Sequence, residues 1–259
     1  MNEAETIQRA KDFIADGVQL GSHGLCRDAL ESLDQAISVC QAFKGESLFV
    51  KTLAAQALSN KGAALGDMDW HKEAVKCYDA AIAIYRQLAE TDDNPGILEN
   101  CAVAVMNKGW SFINLEQEDA GFRCHAEALD LRRQLVAEGY AWVLPDVARS
   151  LYNVGEGYFK AERFAAAIPA FNEAADILQK LIASGQTEHE DDFAYVLAAW
   201  ADTLQKLGQL EEALDISNEA IALFVKLAGT KENPKLASAL AAALDGQEMI
   251  LKKVEMAKL

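Results

Sequence analysis

Long apolar segments and clusters of basic residues are both missing from this chain of 259 residues. The longest apolar runs are far shorter than the roughly 20 residues that cross a bilayer, which argues against a transmembrane helix. The chain starts with charged, amphipathic sequence that lacks the apolar core and small-residue cleavage site of a signal peptide. These absences together predict a cytoplasmic protein.

Positive charge is scarce throughout the chain. It has 24 Lys and Arg against 40 Asp and Glu, which gives a formal net charge of −16. A nucleic-acid binder needs a stripe of Lys and Arg that displaces counterions from phosphates, and an anionic membrane repels an acidic surface. The composition therefore predicts an acidic protein with neither a nucleic-acid nor a membrane partner.

Residues that carry chemistry are few and dispersed. The five cysteines are odd in number and form no Cys-X-X-Cys pair, so reduced, half-buried thiols are expected. The four histidines are scattered over different parts of the chain, and no nucleophile, base and orienting group fall into a recognisable set. The sequence predicts a protein that is not an enzyme and that holds no metal or cofactor.

What the chain does contain is a repeat of small residues. Alanines recur at spacings of 45, 47, 46 and 46 residues, at Ala36, Ala81, Ala128, Ala174 and Ala220. Seven residues earlier stand Ala29, Ala74, Gly121, Ala167 and Ala213, and twelve before those stand Gly17, Gly62, Gly109, Gly155 and Ala201. Small residues at a fixed period indicate helices that pack closely in a stacked-repeat architecture.

Each repeat is predicted to form two amphipathic helices, and breakers such as Pro95, Pro145 and Pro234 separate the repeats. The prediction is eleven helices and no strand, in a single domain over 1–259. The repeats span roughly 3–44, 46–91, 95–139, 145–185 and 189–229, followed by a capping helix over 234–258. Pro169, inside the second helix of repeat four, is expected to bend that helix.

The spacing of these residues resembles the tetratricopeptide repeat: Gly, an aromatic or Leu three later, Ala at twelve, an apolar residue at sixteen and Ala at nineteen. Repeats two and four fit best, with Gly62, Leu65, Ala74, Tyr78, Ala81 and with Gly155, Tyr158, Ala167, Phe171, Ala174. Repeat three departs at Gly121 and His125, and repeat five at Ala201 and Ser217. The resemblance implies a right-handed α-solenoid, here with an extended repeat of about 46 residues.

The resemblance also implies that the first helix of each pair lines a concave groove. The charged residues in the groove slots are four basic and three acidic, so the groove is expected to be near neutral and the acid to lie on the back and in the loops. Asn60, Asn107 and Asn153 share one slot, in which tetratricopeptide repeats often hold peptide backbone through an amide. Helix capping is the alternative role for these amides.

Large side chains gather in the groove slots of repeats three to five, at Trp110, Met106, Tyr152, Phe159 and Tyr195. They are interpreted as apolar anchors for a partner, with packing between repeats as the alternative. Arg149 is predicted to bind a carboxylate. A clamp for the acidic tail of a chaperone is disfavoured, because only Asn107 and Arg149 match its pattern.

The functional prediction is a protein–protein interaction scaffold that binds an extended peptide or a helix of a partner protein in the groove. The partner's identity is open. Two alternatives are kept: a small-ligand or signal-peptide sensor that changes pitch on binding, and a self-assembly module that forms a homo-oligomer.

Overall fold

The computed structural model describes residues 1–229 and 234–257, and within them the chain is all-α, with no strand. Lys258, the last residue predicted for the capping helix, lies outside the described residues, as do 230–233. The described part forms two compact units, Met1–Ala141 and Trp142–Leu259. We refer to them as the first and second units and describe each by itself; a single domain over the whole chain stays a prediction.

The first unit contains repeats one to three as three antiparallel helix pairs. Consecutive helices within this unit pack against each other, so the second helices of repeats one and two also contact the first helix of the next repeat. The helices are α1 (Glu3–Ser22), α2 (Cys26–Ala42), α3 (Leu48–Gly66), α4 (His71–Ala89), α5 (Pro95–Asn114) and α6 (Glu118–Ala137).

The second unit contains repeats four and five and the last helix, which packs on the second helix of repeat five. Its helices are α7 (Leu144–Lys160), α8 (Phe164–Ala183), α9 (Glu190–Leu207), α10 (Leu210–Ala228) and α11 (Pro234–Ala257). Short 3-10 turns at Ala141–Val143 and Thr187–His189 precede α7 and α9. Pro169 lies inside α8, which continues through it.

The small residues of the repeat lie where helices meet, as predicted. All five alanines of the first series are fully buried. At Gly62 a Cβ atom would lie 2.7 Å from the ring of Tyr78, which belongs to the paired helix α4. A ring can therefore fill the space between α3 and α4 only because position 62 has no side chain.

Ion pairs join consecutive repeats at equivalent positions in the first unit. Lys61 on α3 lies 2.5 Å from Asp34 on α2, and Lys108 on α5 lies 2.6 Å from Asp79 on α4. Each pair links the first helix of one repeat to the second helix of the repeat before it. These two lysines directly precede Gly62 and Gly109 of their repeats.

Candidate functional site

The first helices of the first unit border a cleft of about 220 Å³. It lies between α3 and α5, with the start of α4 at one side. Two of the predicted binding residues, Asn107 and Trp110, line it. The complete lining is Ala63, Gly66, Asp67, His71, Tyr78, Asn107, Trp110, Ser111 and Asn114. We call this the Trp110 cleft.

The side chains of the Trp110 cleft are positioned by contacts with neighbouring residues. The Trp110 ring packs edge-on against His125 of α6, with ring centroids 5.0 Å apart, and its backbone carbonyl accepts a hydrogen bond from Asn114 Nδ2 at 2.9 Å. Burial raises the pKa of Tyr78, and nearby Asp67 raises it further. Tyr78 is therefore neutral at physiological pH and presents a hydroxyl that can donate a hydrogen bond.

The second unit has two adjacent clefts that share Tyr152 and Tyr195. One, of about 220 Å³, lies between α7 and α9, and we call it the Arg149 cleft: Ala148, Arg149, Tyr152, Asn153, Leu178, Asp192, Tyr195 and Val196. The other, of about 240 Å³, is bordered by α7, α9, α10 and α11. This alanine-rich cleft consists of Tyr152, Glu156, Tyr195, Ala198, Ala199, Ala201, Asp202, Ser217, Ala220, Ala239, Ala242 and Ala243.

Carboxylates in these two clefts are partly desolvated. Burial raises the pKa of Glu156, and the neighbouring Asp202 raises it further, although Lys160 acts in the opposite direction. Burial likewise raises the pKa of Asp202, against the effect of Lys206. A carboxylate that is costly to ionise in the empty cleft is stabilised when a cation approaches, so these groups favour cationic ligands.

Arg149 and Asp192 give the neighbouring cleft charges of both signs. Arg149 forms an ion pair with Asp146, three residues earlier on α7. The pKa of Asp192 is raised, first by burial and then by Asp191, whereas His189 and Arg149 lower it. An incoming carboxylate would have to compete with Asp146 for the guanidinium of Arg149.

The predicted aromatic residues are supported by rings of the second helices. Tyr152 lies 6.1 Å from Phe171 of α8, and Tyr195 lies 5.3 Å from Phe224 of α10, measured between ring centroids. Phe159 packs edge-on against Phe164 at 5.3 Å. The rings therefore contribute to packing within their repeats, and those of Tyr152 and Tyr195 also reach the clefts.

The other predicted residues have different surroundings. Met106 belongs to the core of the first unit, where its Sδ accepts a hydrogen bond from Arg132 Nη1 at 3.6 Å. Asn60 on α3 and Asn107 on α5 are half-buried, and Asn153 on α7 is buried. Six of the nine predicted binding residues line a cleft on the first-helix side of their own unit: Asn107, Trp110, Arg149, Tyr152, Asn153 and Tyr195.

Comparison with known proteins explains this architecture. A sequence profile described as tetratricopeptide repeat matches residues 54–95, which cover most of α3 and all of α4. The chain therefore contains a tetratricopeptide repeat over these residues. Its fold, an all-α repeat solenoid, agrees with the sequence prediction, and tetratricopeptide repeats support a general role in protein interaction.

Solved structures of low sequence identity share the tetratricopeptide repeat fold. The chain is similar to BtubC (BKLC) from P. vanneervenii, with 18% identity over 89% of this chain and 94% of that chain and a TM-score of 0.66. It is also similar to a STAND protein with a tetratricopeptide repeat sensor from Pyrococcus horikoshii, with 14% identity, a TM-score of 0.68 and coverage of 97% of this chain and 36% of the other.

A third similar structure is aspartyl phosphate phosphatase F from Bacillus subtilis, with 12% identity over 93% of this chain and 60% of that chain and a TM-score of 0.59. At these identities the similarity shows the fold alone. No curated protein matches the chain by sequence. Among the described residues there is no group of three metal-ligating side chains and no helix that could span a membrane.

Asp192 and Ser217 are among the cleft residues that the tetratricopeptide repeat pattern did not predict. Asp192 lies near the start of α9, outside the expected groove slots. Ser217 lies on a second helix, which the pattern assigns to the back of the solenoid, yet it lines the alanine-rich cleft. The available signal was its departure from the repeat, because a serine stands where repeats two and four have Tyr78 and Phe171.

Proposed function

We propose that this protein is an interaction scaffold that binds an extended segment of a partner protein on the first-helix side of its units. The observation that carries the proposal is the set of clefts described above, which six of the nine predicted residues line, two in the first unit and four in the second. All six residues lie on the first helix of their repeat, and in the tetratricopeptide repeats that this chain resembles the first helices line the groove.

The size of the clefts favours an extended segment. Each has a volume of about 220 to 240 Å³, which is below the roughly 300–1,000 Å³ of typical small-molecule pockets. Such clefts suit individual side chains. The Arg149 cleft and the alanine-rich cleft share two tyrosines as a common wall, so successive side chains of one segment can enter both.

The predicted binding residues offer three kinds of contact to a peptide. Asn107, and Asn153 in the second unit, offer amide donors and acceptors for the backbone of the segment. Trp110 and Tyr152 offer apolar surface that is already ordered by contacts with a second helix, so little side-chain entropy is lost on binding. Arg149 offers a guanidinium for a carboxylate.

The test is selection of binding peptides followed by matched variants. Random twelve-residue peptides displayed on phage are selected on the wild-type protein, and the affinities of the enriched peptides are measured by fluorescence anisotropy. The variant Asn107→Ala/Arg149→Ala is expected to weaken binding about tenfold or more, since each tenfold step corresponds to about 1.4 kcal/mol.

The control changes the same residue classes on second helices. Gln87→Ala/Lys180→Ala removes one amide and one cation from exposed positions, one in each unit, and is expected to keep affinity within about twofold of wild type. Equal losses in the two variants, or no enrichment of any peptide, would contradict the proposal.

A further inference from the structure

Repeat five has a serine where a large side chain fills the helix pair in other repeats. Tyr78 and Phe171 stand sixteen residues after Gly62 and Gly155, and their rings occupy the space above those glycines. Ser217 stands sixteen residues after Ala201 and leaves most of that space open. The alanine-rich cleft extends into it, since Ala201, Ser217 and Ala220 all line the cleft.

The serine hydroxyl is available to a ligand. Ser217 is only 4% exposed, and its hydroxyl has no hydrogen-bond partner within residues 1–229 and 234–257. Ser217 lines the cleft, so a polar group that enters the cleft from outside can form a hydrogen bond with its hydroxyl.

Two carboxylates border the same cleft. Glu156 and Asp202 occupy equivalent positions, one residue after Gly155 and after Ala201, on the consecutive first helices α7 and α9. Burial raises the pKa of both carboxylates, and Asp202 adds to the rise at Glu156, whereas Lys160 and Lys206 act in the opposite direction. In the part of the chain that the structure describes, neither carboxylate has a hydrogen-bond or ion-pair partner within bonding distance.

The remaining lining of the cleft suits a planar cation. Tyr152 and Tyr195 present aromatic surface, on which a guanidinium stacks favourably. Alanines of α9 and α11, at Ala198, Ala199, Ala239, Ala242 and Ala243, form the rest of the lining and let a backbone approach closely. A volume of about 240 Å³ is enough for one long side chain.

We propose that the alanine-rich cleft receives an arginine side chain of the partner segment, whose guanidinium lies between Glu156 and Asp202 and reaches the hydroxyl of Ser217. This inference rests on the proposed function and specifies its partner as a basic segment. Arginine is preferred to lysine because its guanidinium has five donors in a fixed plane, which match two carboxylates and a hydroxyl and stack on a tyrosine.

The test uses four mixtures of nine-residue peptides as probes. The fifth position is Arg, Lys, citrulline or Glu, and the other positions are equal mixtures of Ala, Ser, Leu and Tyr. Citrulline has the shape of arginine without the charge. The wild-type protein is expected to bind the arginine mixture at least about fivefold more tightly than the citrulline mixture in 150 mM salt, with lysine between them.

Two cleft variants and one surface control locate the preference. Glu156→Gln/Asp202→Asn is expected to abolish the difference between arginine and citrulline. Asp176→Asn/Glu219→Gln makes the same change of charge at exposed positions of α8 and α10 and is expected to preserve it. Ala201→Gly/Ser217→Phe rebuilds the filled helix pair of repeat four, so it closes the cleft with retained helicity and also abolishes the difference.

Equal binding of arginine and citrulline by the wild type overturns the inference, as does a preference that persists in Glu156→Gln/Asp202→Asn. If all mixtures bind equally and Asn107→Ala/Arg149→Ala weakens them all, the proposed scaffold function stands and the arginine site fails. If no mixture binds the wild type at all, both fail.

Discussion

The ring of Phe171 lies directly over Gly155, so that a Cβ atom at position 155 would be 2.6 Å from Cε1 of the ring. The same relationship holds between Tyr78 and Gly62 in repeat two. In both repeats the contact joins the first helix to the second. The close approach of the two helices therefore depends on a glycine in the first helix and a large aromatic residue sixteen positions later in the second.

Gly155→Ala is expected to lower the free energy of unfolding by about 1–3 kcal/mol, because the added methyl forces the buried Phe171 ring to move. Urea denaturation followed by circular dichroism measures the loss. Gly21→Ala is the control, since a Cβ there meets no atom within 4 Å. It is expected to increase stability by about 0.5–1 kcal/mol through helix propensity, and destabilisation of similar size in both variants would refute the packing argument.

The buried ion pair of repeat three gives a second prediction. Arg132 on α6 is fully buried and donates from Nε and Nη2 to the carboxylate of Glu99 on α5 at 3.1 and 2.6 Å. Glu99→Ala is expected to cost about 3–5 kcal/mol, because it leaves a buried guanidinium without its counter-charge. Urea denaturation again measures the change.

An exposed ion pair serves as the comparison for Glu99. Glu248 and Lys252, one turn apart on α11, lie on the surface, so Glu248→Ala is expected to leave the denaturation midpoint unchanged within error. The double variant Glu99→Met/Arg132→Leu is expected to recover much of the lost stability, since it removes both charges from the core. A Glu99→Ala variant as stable as wild type would show that the pair contributes nothing.

The carboxylates of the alanine-rich cleft predict a pH dependence of stability. The folded-state pKa values of Glu156 and Asp202 are raised, chiefly by burial, so the folded protein holds these protons more tightly than the unfolded chain. Unfolding then releases protons, and stability falls as pH rises from the unfolded pKa values, near 4, through the raised folded ones. Glu156→Gln/Asp202→Asn is expected to have a higher melting temperature than wild type at pH 8 and a similar one near pH 3.5.

Removing any two negative charges from an acidic protein has a general effect, which the exposed pair Asp176→Asn/Glu219→Gln measures. Its melting temperature, relative to wild type, is expected to change less with pH than that of the cleft variant. A cleft variant whose advantage is the same at both pH values, or appears only at low pH, would contradict the assignment of partly desolvated carboxylates.

Cys101 is expected to be unreactive in the folded protein. Burial raises the pKa of its thiol to about 11, with opposing effects from Arg86 and Glu127, and the nucleophile is the thiolate. At pH 8 iodoacetamide should label Cys101 at least about 100-fold more slowly in the folded protein than in 8 M urea, as followed by mass spectrometry. Rapid labelling of the folded protein would contradict this.

The repeat and the helices could be predicted from the sequence because they depend on spacing, whereas the side on which a partner binds stays a prediction. Ala36 and its equivalents mark helix contacts whatever their neighbours are, and the described residues contain the eleven helices that the spacing predicts. The sequence did not predict the ion pairs that Lys61 and Lys108 form with aspartates of the preceding repeat.

Burial of individual side chains was harder to predict. Met106 occupies a groove slot by its position, but its flexible thioether contacts the buried Arg132. The two residues are far apart in the sequence, so the repeat pattern does not predict this contact. The cleft at Ser217 was missed for a different reason. The repeat pattern identifies positions that carry the usual residue type. The cleft instead arises where two neighbouring positions, Ala201 and Ser217, both depart from the pattern.

Ser217 also shows how a single residue can distinguish one repeat from the others. The repeats share the same helix-pair arrangement. The alanine-rich cleft extends into repeat five because Ser217 is shorter than Tyr78 and Phe171, which stand at the equivalent positions. No new loop or backbone geometry was required to create it. Exchanging Ala201 and Ser217 with Gly155 and Phe171 should therefore move the open space from the helix pair of repeat five to that of repeat four, without changing the positions of the helices.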